Sequence, residues 1–97
     1  MPSTVYCYIF RPSVRFPDVL ATLGLAVVAT ESLHGEARSK LEVRFGDIPA
    51  KRAIAIDAST ATGRSVNALF AGFARRQFGE AAFRVERVSK PLMRTRP

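Results

Sequence analysis

The first clear element of the chain, Val5–Phe10, is apolar on both of its faces. Side chains alternate between the two sides of a strand. Both sides are apolar enough to be buried, so the question is which one faces the core and what covers the other. One face carries Val5, Cys7 and Ile9, and the other carries Tyr6, Tyr8 and Phe10.

The pattern after this strand predicts a short helix and then three more strands. The helix begins at Phe16, has Pro17 in its first turn and Asp18 near the positive end of its dipole, and ends at Gly24. β-Branched and alternating residues predict the strands, and glycine and proline mark the turns between them. The predicted strands are 25–30, 39–45 and 53–58, and the predicted turns are 33–36 and 46–49.

A long amphipathic helix is predicted between Thr60 or Thr62, either of which can cap its start, and Gly79, which closes it. Its apolar residues recur at helical spacing and form one stripe. A last strand is predicted over 83–88. The stripe consists of Val66, Leu69, Phe70, Phe73 and Phe78.

The predicted order is β-α-β-β-β-α-β, which is typical of a two-layer α+β sandwich. We expect a mixed, mostly antiparallel sheet of about five strands with two helices on one face. The connection through the long helix is expected to be a right-handed crossover. Residues 1–88 form the single domain of this prediction, and 89–97 form a basic, flexible C-terminal tail.

The three phenylalanines of the helical stripe predict which way the first strand faces. They bring bulk to the helix-facing side of the sheet, so the smaller Val5, Cys7 and Ile9 are expected to pack beneath them. The aromatic residues then lie on the open face, where they form an interface or a stacking surface. The predicted residues of this surface are Tyr6, Tyr8, Phe10, Arg44 and Arg84.

This layout resembles that of the RNA-recognition motif, in which aromatic residues on central strands stack on bases and nearby basic residues meet phosphates. The resemblance covers the hexapeptide Val5–Phe10 and the strand pattern, and it implies binding of single-stranded nucleic acid. The second signature of that family, a strand rich in glycine and aromatic residues, is absent. The segment Lys40–Phe45 has no glycine and places its aromatic residue inward.

Charge favours a polyanionic partner. Among 97 residues there are 15 Lys and Arg against 8 Asp and Glu, which gives a formal net charge of +7. Genome composition explains the same excess of arginine and alanine equally well. The predicted nucleic-acid contacts are Lys40, Arg87, Lys90, Arg94 and Arg96.

The residues that carry most chemistry are scarce. One histidine and one cysteine cannot build a tetrahedral metal site of the common kind, and no two carboxylates are spaced to work together on one element. We expect no metal, no cofactor and no enzymatic activity. A single cysteine, an N-terminus without a basic leader and apolar runs shorter than the ~18 residues of a membrane helix predict a cytoplasmic protein without a membrane partner.

One small site is predicted where the predicted strand 53–58 meets the long helix. Free backbone N–H groups at a helix start, together with an arginine, can hold an anion. Capping of the helix by its own hydroxyl groups is the simpler interpretation. The residues of this possible anion site are Ser59, Thr60, Thr62, Gly63 and Arg64.

The sequence therefore predicts a small, non-enzymatic interaction domain that forms a homodimer through its aromatic open sheet face. The alternative is a basic nucleic-acid-binding domain that uses the sheet face and the arginine-rich C-terminal segment. An acidic protein is a further possible partner.

Overall fold

The computed structural model describes residues 4–89. Short 3₁₀ turns at Pro49–Lys51 and Glu80–Ala82 lead into the third and fourth strands. The predicted basic tail lies outside the described residues, except for Ser89. The elements are β1 (Thr4–Phe10), α1 (Phe16–His34), α2 (Glu36–Glu42), β2 (Arg44–Ile48), β3 (Ala53–Asp57), α3 (Ala61–Phe78) and β4 (Phe83–Ser89).

The four strands form one sheet in the order β2-β3-β1-β4, and every neighbouring pair is antiparallel. β1 and β2 are therefore parallel to each other with β3 between them, and β3 and β4 are parallel with β1 between them. Each pair is joined through helices, so the fold consists of two interleaved split β-α-β units. The α+β class and the packing of helices on one sheet are confirmed. Within residues 4–89 the sheet has four strands instead of about five, and there are three α-helices instead of two.

The extra length of α1 replaces the strand predicted at 25–30. The β-branched Thr22 and Thr30 fit the helix because their hydroxyl groups donate to the carbonyl oxygens of Asp18 and Ala26, four residues earlier, at 2.9 and 2.8 Å. Gly24 keeps helical geometry, and a Cβ atom there would meet nothing within 4 Å. The helix ends instead at Gly35, whose φ of 89° lets the chain turn directly into α2.

α2 replaces the first half of the strand predicted at 39–45. Within this helix only Ser39 is buried. Ion pairs one turn apart, Lys40 with Glu36 and Arg38 with Glu42, lie on its exposed side at 3.5 and 3.4 Å. The strand starts only at Arg44, so the predicted turn at 46–49 falls largely within β2.

The main core lies between the sheet and the helices α1 and α3. Phe70 is fully buried at its centre, and its ring meets the edge of Tyr8 with the centroids 4.9 Å apart and the planes at 88°. Phe73, on the same predicted stripe, is only half-buried. The core residues are Tyr8, Phe10, Val14, Val19, Leu23, Ala26, Ile54, Ile56, Val66, Phe70 and Ala74.

The predicted orientation of β1 is wrong. Tyr8 and Phe10 face the helices, whereas Val5 and Cys7 belong to a second, small cluster on the other side of the sheet. Two features allow the aromatic side of β1 to face the helices. α1 contributes small and medium residues to the core, so rings from the sheet fill the space between the layers. The hydroxyl group of Tyr8 donates to Oδ1 of Asn67 at 2.5 Å, which satisfies the polar end of a buried ring.

Candidate interaction surfaces

The predicted aromatic surface does not lie on the open side of the sheet. Tyr8 and Phe10 are 1% and 3% exposed, and Tyr6 is half-buried and packs against the main core. Burial raises the pKa of Tyr8 to about 12. The expectation that these three side chains form an exposed stacking or docking face is therefore wrong.

The side of the sheet away from the helices is called the back face here, and its centre consists of Val5, Cys7, Ala55 and Val88. Among residues 4–89 no helix packs on it, yet Val5, Cys7 and Ala55 are only 1%, 8% and 2% exposed. Burial raises the pKa of the Cys7 thiol, and the carboxylate of Glu86 adds to the effect. The apolar centre of the back face is therefore not an exposed surface.

The two arginines predicted beside the aromatic residues are exposed, but they lie far from each other. Arg44 is on β2 and Arg84 is on β4, the two opposite edges of the sheet. Three strand spacings of about 4.8 Å each separate these edges. Nε of Arg84 pairs with Glu86 at 3.1 Å. The five predicted surface residues are thus not brought together.

The predicted anion site at the start of α3 is occupied by the chain's own acceptors. Oγ1 of Thr60 accepts from the backbone N–H of Gly63 at 2.9 Å, which makes Thr60 the cap of the helix. Oγ1 of Thr62 donates to a carboxylate oxygen of Glu42 at 2.6 Å. The backbone N–H of Ser59 donates to Oδ1 of Asp57 at 2.9 Å, and Arg64, the last residue of the predicted set, is exposed. The N–H and hydroxyl donors of this segment are therefore used by the helix cap and by the chain's own carboxylates.

The residues predicted to contact nucleic acid do not form one surface within the described part of the chain. Lys40 is on α2, where it pairs with Glu36. Arg87 is exposed on β4, opposite Tyr6 in the register. Lys90, Arg94 and Arg96 lie outside the described residues.

Exposed apolar surface is concentrated instead on α1. Seven large apolar side chains are exposed within residues 4–89, and four of them belong to this one helix. α1 is buried on its inner side and apolar on its outer side as well, whereas a surface helix usually has a polar outer side. The outer face of α1 carries Leu20 (40% exposed), Leu25 (61%) and Val28 (59%), whereas Leu33 (70%) follows Ala26 and Thr30 at helical spacing and is exposed at the end of the helix.

An apolar groove runs along each side of this ridge. The larger one, about 520 Å³, separates Leu25, Val28 and Ala29 of α1 from Phe73 and Arg76 of α3. A smaller one, about 270 Å³, lies between α1 and Phe45 of β2. By length and composition α1 could also cross a membrane, a criterion that the apolar core helix of a folded domain meets equally.

The sequence pattern does not predict this surface, because it predicts a strand at 25–30. A signal was present: Val19, Leu23, Ala26 and Thr30 follow one another at steps of four, three and four residues, which is helical spacing. The apolar residues between them, such as Leu25 and Val28, then fall on the opposite side of the same helix.

His34, which falls in the predicted turn 33–36, is the last residue of α1 and is half-buried. Its Nε2 lies 2.9 Å from Oγ of Ser65, so the pair joins the end of α1 to the first turns of α3. Within residues 4–89 no three His, Cys, Asp or Glu side chains are grouped to hold a metal ion. Comparison with protein-family models, with curated proteins and with solved structures finds no match for this chain.

Proposed function

We propose that this chain is a small interaction domain that self-associates through the outer face of α1. The observation that carries the proposal is the ridge of Leu25 and Val28, each more than half exposed, beside an apolar groove. Apolar surface left in water costs about 25 cal/mol per Å². Contiguous patches of this kind on a folded domain typically mark interaction sites.

A second copy of the chain fits this surface because the ridge and the groove lie side by side. In a two-fold pair, the ridge of one protomer enters the groove of the other, and the reverse contact forms by symmetry. A 19-residue helix is about 28 Å long. With α3 beside it at a typical interaxial distance, this layer is about 20 Å wide, and its projected area of about 560 Å² is roughly two-thirds of the ~800 Å² of accessible surface that each partner of a stable interface buries.

Charges at the rim of the ridge are consistent with the same pairing. Arg76 lies on the α3 side of α1, and Glu31 lies on the other side, next to α2. A two-fold axis parallel to α1 brings the α3 side of one protomer over the α2 side of its partner. Arg76 then lies over the side on which the partner carries Glu31, and Lys40, which lines the same side, is already paired with Glu36.

Sedimentation velocity on the full chain at tens of micromolar tests the proposal. We expect a dimer, and we expect Val28→Glu to raise its dissociation constant at least tenfold, because a carboxylate would be buried in an apolar interface. Val85→Glu is the matched control: Val85 is 46% exposed on β4, at the sheet edge opposite β2, and lies outside both grooves, so this variant should remain dimeric. Circular dichroism confirms that both variants are folded. A monomeric parent chain, or equal weakening by both substitutions, contradicts the proposal.

A lipid surface is the competing occupant of the outer face. Vesicles containing phosphatidylserine would attract a chain of net charge +7. If the parent chain stays monomeric and co-sediments with these vesicles, and Val28→Glu abolishes that binding, the face is a membrane contact and self-association is refuted.

In our proposal the domain has no catalytic role and acts in the cytoplasm. The scarcity of groups suited to catalysis supports the first part, and the single cysteine supports the second.

A further inference from the structure

Three arginines surround a pocket at one end of the sheet. β1 runs antiparallel to both β3 and β4, so the end of β1 and the starts of the other two strands meet there. Each segment contributes one arginine: Arg11 follows β1, Arg52 precedes β3, and Arg84 is the second residue of β4. The pocket measures about 390 Å³, and Ile9 and Phe83 form part of its apolar wall.

Each guanidinium group is anchored through one nitrogen, which leaves other donors available. Nε of Arg11 donates to the carbonyl oxygen of Ala81 at 2.5 Å. A terminal nitrogen of Arg52 donates to the carbonyl oxygens of Arg11, at 3.0 Å, and of Val14. Nε of Arg84 pairs with Glu86 at 3.1 Å. The other guanidinium N–H groups of these arginines make no hydrogen bond within residues 4–89.

Two features of Arg52, its backbone conformation and a buried nitrogen, are energetically unfavourable. Its backbone is left-handed, with φ at 54°, a conformation that residues other than glycine seldom adopt. Its Nε is buried with no hydrogen-bond partner in the described part of the chain. Its guanidinium also lies over the ring of Phe16, 5.9 Å from the centroid. Backbone strain of this kind clusters at ligand-binding positions, whereas the buried Nε itself is closed to a ligand in the pocket.

We propose that this pocket binds the phosphate group of a ligand. Guanidinium groups match phosphate oxygens in a bidentate geometry. The three arginines and Glu86 leave a local charge of +2, which matches a phosphate monoester dianion better than a single carboxylate. Ile9 and Phe83 offer an apolar wall to the organic part of the ligand, and the volume falls within the range of small-molecule sites, about 300–1,000 Å³.

Titration of the full chain with inorganic phosphate, followed by NMR at low salt, tests this site. At about 10 mM phosphate even millimolar affinity is detected, and we expect shifts at Ile9, Arg11 and Arg84. Arg84→Gln should weaken binding at least tenfold. Glu86→Gln, which removes the one carboxylate that pairs with these arginines in the described chain, should tighten binding several-fold.

Arg64→Gln is the matched control, because Arg64 is an exposed arginine at the start of α3. It should leave phosphate binding unchanged. The proposal is overturned if phosphate causes no shifts at the pocket, if Arg64→Gln weakens binding as much as Arg84→Gln, or if Glu86→Gln weakens it. The α1 surface and its test are independent of this result.

Two sources of the phosphate group are separated by competition. A nucleoside monophosphate and a 5′-phosphorylated oligonucleotide are each added to the phosphate-bound chain. If only the monophosphate displaces phosphate in an Arg84-dependent way, the ligand is a small phosphorylated molecule. If the oligonucleotide does so and its 5′-hydroxyl form does not, the site holds a nucleic-acid terminus. If neither displaces phosphate, the pocket does not accept a phosphate monoester and the proposal fails.

Discussion

At the scale of single residues, two glycines of α3 have opposite surroundings. A Cβ atom at Gly63 would lie 2.3 Å from the carbonyl oxygen of Asp57 and 3.0 Å from Oγ1 of Thr60. Both neighbours belong to the corner where β3 leads into α3, and a backbone carbonyl there cannot move aside easily. At Gly72, in the same helix, a Cβ atom would meet nothing within 4 Å. Gly63 therefore permits a close contact, whereas Gly72 only costs the helix conformational entropy.

Alanine substitutions at these two positions should change stability in opposite directions. We expect Gly63→Ala to lower the free energy of unfolding by about 1–3 kcal/mol, because the new methyl group is overpacked. Gly72→Ala should raise it by about 0.5–1 kcal/mol. Urea unfolding followed by circular dichroism measures both. If the two variants shift stability in the same direction, the close contact at Gly63 is absent.

At the scale of elements, the end of α2 closes the start of α3. The carboxylate of Glu42 accepts from Oγ1 of Thr62 at 2.6 Å, and the backbone carbonyl of Glu42 accepts from Oγ1 of Thr60 at 3.2 Å. A negative charge is thereby placed at the positive end of the α3 dipole. This contact gives α2, a helix with one buried residue, a defined position in the fold.

The pKa of Glu42 should report this junction. The hydrogen bond from Thr62 is the largest cause that lowers this pKa below its ordinary value, and Arg38 contributes less. Because the folded pKa is depressed, the stabilising contribution is present above the unfolded pKa and is lost as the pH falls through the folded value. We expect Thr62→Val to raise the pKa of Glu42 more than Arg38→Gln does, as measured by NMR titration of the carboxyl carbon. If Arg38→Gln raised the pKa of Glu42 more than Thr62→Val, the charge of Arg38 and not the hydroxyl group of Thr62 would be the main interaction of this carboxylate.

At the scale of the whole molecule, Cys7 reports on global unfolding. It is the only cysteine of the sequence, it lies on the central strand β1, and its side chain is 8% exposed. Burial raises the pKa of its thiol, which further lowers the fraction of reactive thiolate. Modification of Cys7 under native conditions should therefore require the sheet to open.

We expect a disulfide reagent at pH 8 to modify Cys7 far more slowly in the native chain than in urea. Phe70→Ala should remove about 3–5 kcal/mol of stability, because it leaves a cavity in the centre of the core. It should accelerate the modification in proportion to the larger unfolded population, and Gly72→Ala should slow it. Phe73→Ala, at a half-buried position, should accelerate it less. A native rate equal to that in urea would mean that the back face is open to solvent.

Elements that carry their own local signals can be predicted from the sequence alone. α3 begins after Thr60 and ends before Gly79, as its cap, its apolar stripe and its closing glycine predict. β1, β3 and β4 lie where alternation and β-branched residues place them. These signals are local, because hydrogen bonds within one turn and the period of one element are enough to specify them.

The orientation of β1, the length of α1 and the surfaces that remain exposed depend on tertiary packing. Both faces of β1 are apolar, so alternation alone could not show that Tyr8 reaches Asn67 across the core. Segment 25–30 is helical because Ala26 and Thr30 face the core, a contact that strand propensity does not register. The packing of distant segments decides that Leu25 and Val28 remain exposed. It also brings Arg11, Arg52 and Arg84 to one pocket. These features depend on the space between layers and on strand order, and neither is encoded in the pattern of a single segment.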